Sequence, residues 1–288
     1  MNVVVTGASG FVGSQVVEAL SNAGHQVKGI QRHPPEARPP RVTWIRGDLG
    51  DLDLIKVFEG ADAVVHLVGI IREDPSRDVT FERVHVGFTE RVVRALTLAH
   101  VPRLIQMSAL GTRRDAVSRY HRTKWQAEEL VRSTPGISWT IVRPSLIFGQ
   151  GAPFFDLLSR LSRLPRVPVP GDGRTLFQPV GRQDVADLIT RVLPDAAAFR
   201  LTLEMGGPER FSLNQLVDLM AARAGRPHPP KWHLPLSLVE MVANLHHVLP
   251  VPITPDQLAM LTEANITDDT TWQRWVPEPE RLTRWAAK

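Results

Sequence analysis

The sequence predicts an α/β fold: a doubly wound parallel sheet with a smaller, mainly helical C-terminal region. Three observations predict it. Residues 1 to 13 read Met-Asn-Val-Val-Val-Thr-Gly-Ala-Ser-Gly-Phe-Val-Gly, an apolar run followed by glycines and then by a helical pattern. Short apolar runs then alternate with amphipathic stretches, as parallel strands joined by helical crossovers must. The 288 residues are 43% hydrophobic, enough for a large core in one big domain or two unequal ones.

The first strand is Val3, Val4 and Val5, a run suited to burial on both faces. Gly7, Gly10 and Gly13 follow, and Val12, Val16, Val17 and Leu20 then share one helix face. Strand, glycine-rich turn and helix together form the context of a dinucleotide-binding fingerprint. One glycine permits the tight turn, one lets backbone approach a pyrophosphate, and one lets helix pack close to strand. N–H groups and the dipole at the helix start then hold the phosphates. Gly7, Ser9, Gly10, Phe11, Val12 and Gly13 are therefore cofactor-binding candidates; the competing reading is a tight turn in some other α/β protein.

A second strand is expected at 26 to 30, with Arg32 just past its end. An acidic residue near this point takes the ribose 2′-hydroxyl of NAD, whereas an arginine accommodates the 2′-phosphate of NADP. No Asp or Glu lies between 27 and 33, which favours NADP(H) over NAD(H). The alternative is a solvated loop arginine. After a proline-rich loop at 34 to 40, residues 42 to 45 read as strand three, closed by Gly47-Asp48-Leu49. Asp48 suits either the adenine edge or the cap of a short helix at 52 to 58. Strand four is expected at 63 to 68, entering a turn at Gly69. His66 within it reads as a core histidine rather than a ligand.

Residues 81 to 100 predict one long amphipathic helix and 103 to 107 strand five. Ser108 stands at the carboxyl end of that strand, where ligands bind in open α/β sheets. A helix beginning near residue 118 or 119 carries Tyr120, the only tyrosine of the chain, and Lys124 one turn later on the same face. A lysine beside a phenol lowers the phenol pKa and makes it a proton donor or acceptor near neutral pH.

Strand six is expected at 138 to 142, ending in Arg143-Pro144-Ser145. Residues 153 to 164 form an apolar helix, either a lid over a cleft or a docking surface. A loop with three prolines and two glycines spans 165 to 173. A helix follows Gly181, and a late strand is expected at 202 to 205. Ser212 with Gln215 and Thr254 with Gln257 are capping boxes and carry structure, not chemistry. Between them 234 to 249 is apolar but interrupted by Glu240, Asn244, His246 and His247, too polar to span a bilayer. A core-packed helix is the expected reading, a membrane or partner surface the alternative. Adjacent histidines do not share a helix face, so His246 and His247 form no metal site.

The expected division is 1–150 for the nucleotide-binding domain, with parts of 175–206 completing its sheet, and 151–288 for a substrate or partner region. Absence of cysteine excludes disulfides, thiolate metal sites and cysteine nucleophiles and fits a cytoplasmic protein. No signal peptide is evident, and no apolar run approaches the ~20 residues of a membrane span. Net charge is +4 with scattered arginines, a basic surface suited to anionic ligands or membranes rather than a nucleic-acid footprint.

Several motifs line up in order: Thr6-Gly-Ala-Ser-Gly-Phe-Val-Gly13, Gly47-Asp48-Leu49, His66-Leu-Val-Gly69, Tyr120-x-x-x-Lys124, Arg143-Pro144 and Asp184-Val185-Ala186. Together they resemble the extended and atypical short-chain dehydrogenase/reductase families. Met107-Ser-Ala-Leu-Gly111, Ser118-Arg-Tyr-His-Arg-Thr-Lys124 and Pro144-Ser-Leu-Ile-Phe-Gly149 are most similar to the branch of the nucleotide-binding accessory subunit of respiratory complex I and its bacterial relatives. The likeness runs over roughly residues 1 to 265. It implies a Rossmann-type sheet, a bound nicotinamide dinucleotide, and a carbonyl or sugar-nucleotide substrate. Tyr120 would be the acid/base, Lys124 its partner and Ser108 an assistant. Asp48, Leu49, Leu67, Val68, Gly69, Lys124 and Pro144 would join the fingerprint at the cofactor. The sequence departs from the pattern where His85 replaces the usual asparagine, and Ser108 lies closer to Tyr120 along the chain than in most active members. The resemblance also implies an alternative: a nucleotide-holding accessory or assembly factor of a respiratory NADH:quinone oxidoreductase, peripheral to the inner face of the membrane.

Overall fold

The computed structural model describes residues 1–32, 39–247, 251 and 253–288. Most of the proline-rich stretch at 34 to 40 and the side chains of His246 and His247 lie outside the described residues. Strand β1 (Asn2–Thr6) leads through the glycine turn into α1 (Phe11–Asn22), β2 (Gln26–Gln31) and β3 (Val42–Arg46). Helix α2 (Leu54–Phe58) precedes β4 (Ala63–His66), and α3 (Phe88–Leu98) precedes β5 (Arg103–Met107). Helix α4 (Arg119–Ser133) crosses to β6 (Ser138–Pro144).

The chain then leaves the sheet through β7 (Ile147–Phe148), α5 (Pro153–Leu161), β8 (Val167–Pro170), β9 (Leu176–Phe177) and β10 (Val180–Gly181). It returns through α6 (Arg182–Val192) to β11 (Leu201–Met205). Last come β12 (Phe211–Ser212), α7 (Leu213–Arg223), β13 (Lys231–Leu234), α8 (Leu236–Ala243), α9 (Pro255–Thr262) and α10 (Leu282–Ala286).

The main sheet has the order β11-β6-β5-β4-β1-β2-β3, with every pairing parallel. The order steps outward from β1 on both sides, so a crevice opens beyond its carboxyl end between β2 and β4. Strand periodicity places the core. Val3 and Val5 face α1 and α6, while Val4 faces the opposite side with Val64, Phe58 and Val92. A third cluster around Phe148, Phe155, Leu216 and Leu282 holds α5, α7 and α10 together. Each such side chain contributes about 1.5–3 kcal/mol by leaving water.

Four expectations are corrected. Strand four stops at His66, so Leu67, Val68 and Gly69 leave the sheet and enter the crevice. The helix expected at 81 to 100 begins as a π-helical turn, Glu82–Gly87, before α3. There the buried ring of His85 is bonded to Thr123 of α4 and to the backbone of Ile70, and Thr89 donates to the His85 carbonyl at 2.6 Å. Part of the loop expected at 165 to 173 is the strand β8, paired in parallel with β13. Its prolines are tolerated because both strands of a two-stranded ribbon are edges. Finally, α8 is not core-packed: only Val239 and Ala243 of its residues are buried. Helix α5 buries Phe155 and Leu158 in the third cluster. Both capping boxes form as expected.

Candidate functional site

The turn after β1 is built from close approaches that only glycine allows. Gly7 has φ +71°, and a Cβ there would stand 3.2 Å from backbone atoms of Leu67 and Val68. A Cβ on Gly13 would lie 2.0 Å from the carbonyl oxygen of Gly7. The start of α1 is thus seated directly on the turn, its first N–H groups directed out of the helix end. A cleft of about 460 Å³ opens here. Gly7, Ser9 and Gly10 form its floor; Gln31, Arg32, Asp48 and Leu49 line one side, and Leu67, Val68 and Gly69 the other. This donor-rich, acid-poor floor fits a dinucleotide pyrophosphate.

Arg32 is exposed at the end of β2 and reaches the cleft. Asp48 accepts the N–H of Gly50 at 2.9 Å, whereas the cap of α2 is Asp53, so the capping alternative for Asp48 falls away. Phe11, Val12, Gly13, Ser108, Tyr120, Lys124 and Pro144 are not among the residues that line this cleft. Phe11 lies under the guanidinium of Arg182 at 5.1 Å, Val12 packs on the sheet, Gly13 is buried in the turn, and Pro144 is buried at the end of β6.

Helix α4 starts where expected because Ser118 accepts the N–H of His121. Tyr120 and Lys124 are both buried on one face. The Tyr120 ring meets His85 edge-on at 5.3 Å, His121 at 5.1 Å and Phe81 at 6.0 Å. Lys124 Nζ donates to the Met107 carbonyl at 3.3 Å. A Cβ on Gly69 would stand 2.9 Å from that ammonium, so the lysine sits against the cleft wall.

Burial, reinforced by the charge of Asp256, pushes the Tyr120 phenol up to about 12, opposite to the lowering expected from a neighbouring lysine. Lys124 itself falls to about 8 through burial, against the opposing pull of Glu128. His66 is driven down to about 3 by burial and then by Lys124; it is bonded to Thr6 through Nδ1 at 2.6 Å, and its Nε2 is buried without a partner. His85 is lowered for the same two reasons in the same order.

Ser108 is drawn elsewhere. Its hydroxyl donates to Glu128 at 2.5 Å, two helical turns beyond Tyr120. Glu128 is fully buried and also accepts from Arg132 and Arg143, each at 2.7 Å. Two residues at the site were not singled out from sequence. Glu128 was visible only as the centre of a Lys124, Glu128, Arg132 spacing. Asp256, from the first turn of α9, accepts the N–H groups of Arg119 at 2.6 Å and Tyr120 at 3.1 Å. No local pattern links it to a helix more than a hundred residues earlier.

A family model described as NAD(P)H-binding matches residues 7–196. Mitochondrial NADH dehydrogenase (ubiquinone) 1 alpha subcomplex subunit 9 of Arabidopsis thaliana is 31% identical over 285 residues, covering 92% of this chain and 69% of that protein. The Mus musculus protein of the same name is 30% identical over 258 residues, covering 85% and 67%. Among solved structures, MoeE5 in complex with UDP-glucuronic acid and NAD matches with a TM-score of 0.75 at 25% identity, over 100% of this chain and 97% of that one. A nucleoside-diphosphate-sugar epimerase from Staphylococcus aureus matches with a TM-score of 0.79 at 20% identity over 100% of both, a likeness of fold. With a glycine turn, a switch-point crevice and these relatives in agreement, the chain belongs to the NAD(P)H-binding family of Rossmann-type proteins.

Proposed function

We propose that the chain holds NADP(H) in the crevice beyond β1 and uses Tyr120 as acid/base on a carbonyl or sugar-nucleotide substrate. The observation that carries the nucleotide reading is the cleft itself: glycine backbone on its floor and Arg32, without a neighbouring acid between 27 and 32, at the end of β2. A charged hydrogen bond to a 2′-phosphate contributes about 1.5–3 kcal/mol, roughly 10- to 100-fold in affinity. Bound there, a nicotinamide would exchange hydride with a carbon of the substrate. Lys124, held against Gly69, would bind the adjoining ribose, and Tyr120 would give its proton to the substrate oxygen as the phenol or take one from it as the phenolate. Structures of the same fold bound to NAD and a sugar nucleotide support a nicotinamide dinucleotide and that substrate class, while the NADP(H) preference rests on Arg32. The test is Tyr120→Phe: turnover in a carbonyl and sugar-nucleotide screen should disappear while NADPH affinity stays. A phenylalanine variant that turns over normally removes the role.

A second reading is favoured by one cluster of observations. Ser108 is tied to Glu128, and the phenol is raised rather than lowered. Both suit a protein that keeps its nucleotide as a structural element, as an accessory or assembly factor of a respiratory complex, the assembly that the names of its relatives denote. That reading predicts tight NADPH binding with no turnover in the screen and recovery of a membrane-complex partner in pull-downs.

A further inference from the structure

The exposed apolar side chains are concentrated rather than scattered. Among the described residues, fourteen large hydrophobic side chains are exposed, and six of them lie between Trp232 and Leu245. Trp232 and Met241 are the most open of these, at 58% and 59%. Register explains Trp232. Lys231 and His233 bond to Asp218 and Asn214 of α7 on one side of the strand, and Trp232, between them and opposite Pro168, stands exposed on the other. Leu236 continues the surface over the turn at Gly171, where a Cβ would stand 3.4 Å from it.

In α8 the buried residues Val239 and Ala243 are one turn apart. Leu238, Met241, Val242 and Leu245 follow at the spacing of a second face, and that face is exposed. Glu240 is the one charged residue between 234 and 245. A helix that is apolar on both faces is stable in water only if something covers the second. Charge identifies the cover. Arg160, Arg163 and Arg166 are exposed, and none is in an ion pair among the described residues. Arg166 directly precedes β8, whose first residue pairs with Lys231, and exposed Leu164 lies between Arg163 and Arg166. Aliphatic and tryptophan side chains next to exposed arginines without ion-pair partners match the boundary between acyl chains and anionic headgroups.

We propose that the surface from Trp232 to Leu245, with Arg163 and Arg166 at its border, docks the protein on an anionic lipid bilayer. The proposal does not rest on nucleotide binding. Flotation of the full chain with phosphatidylcholine vesicles, and with vesicles containing 30% phosphatidylglycerol (~0.3 mole fraction), tests it at physiological ionic strength. Binding is expected to the anionic vesicles and to fall on the order of thirtyfold in Arg163→Ala/Arg166→Ala, about 1 kcal/mol for each arginine removed. Met241→Glu should abolish it, with thermal midpoint and NADPH affinity unchanged. No flotation with either vesicle, flotation that Met241→Glu leaves intact, or stable association with a protein complex without vesicle binding would each overturn the proposal.

Discussion

Ser108 donates its hydroxyl hydrogen bond to Glu128 at 2.5 Å, and the same buried carboxylate holds Arg132 and Arg143. The serine at the carboxyl end of β5 is therefore bound into a structural ion cluster. Glu128→Gln puts a neutral amide between Arg132 and Arg143, which keep Glu129 and Glu204 as partners, and should cost about 1.5–3 kcal/mol of stability. Ser108→Ala removes one hydrogen bond while both arginines stay paired, and should cost about 1 kcal/mol. Urea denaturation of both variants checks the ranking, and equal costs would contradict it.

Gly13 and Gly69 separate two kinds of close approach. A Cβ on Gly13 meets backbone oxygen at 2.0 Å, which cannot move without displacing the turn. Gly13→Ala should destabilise by about 1–3 kcal/mol or more and abolish nucleotide binding. A Cβ on Gly69 meets the end of the Lys124 side chain closely and His85 Nε2 at an ordinary 3.7 Å. Gly69→Ala should thus keep its thermal midpoint while losing nucleotide affinity as the ammonium is pushed aside. If Gly69→Ala bound nucleotide as well as the parent, Lys124 would not be the ribose ligand.

Acid sensitivity follows from three buried histidines. His66 is held down to about 3 and His121 to about 4, both chiefly by burial, and His85 well below its ordinary value. Folded values lie below the unfolded value of about 6.5, so the unfolded chain binds more protons as pH falls. The stabilisation is complete only well above pH 6.5 and is lost as pH falls through that value. Near pH 6.5 each unfolded histidine is half protonated, giving a combined slope of about 2 kcal/mol per pH unit. The raised carboxyls of Asp184, at about 6, and of Asp256 act in the opposite direction and flatten the curve at its acid end. Denaturation midpoints at pH 7.5, 6.5 and 5.5 measure this; a flat profile across the first interval would be inconsistent with neutral buried rings.

Most of the main sheet was legible in the sequence because its strands and crossovers announce themselves locally. The run Val3 to Val5, the glycines behind it and the Tyr120 to Lys124 spacing each depend on residues close in the chain. What was illegible depended on distant partners. The π-helical turn at His85 accompanies bonds to Thr123 and Ile70. Strand β8 exists because β13, some sixty residues later, pairs with it. The raised Tyr120 phenol reflects burial and Asp256, neither visible from an i, i+4 pattern. The exposed face of α8 could not be read from composition, since apolar residues on a short helix give the same pattern whether buried or bare.

The most direct test of the central claim is an equilibrium titration of the purified protein with NADPH and with NADH, repeated for Arg32→Ala. Arg32 is the exposed cation of the cleft that stands at the end of β2, where the 2′-phosphate would lie, apart from Arg77 and Arg83 later in the chain. The account predicts NADPH binding stronger than NADH, with the preference reduced roughly 10- to 100-fold in the alanine variant. Equal binding of both nucleotides, or a preference that survives Arg32→Ala, would contradict it.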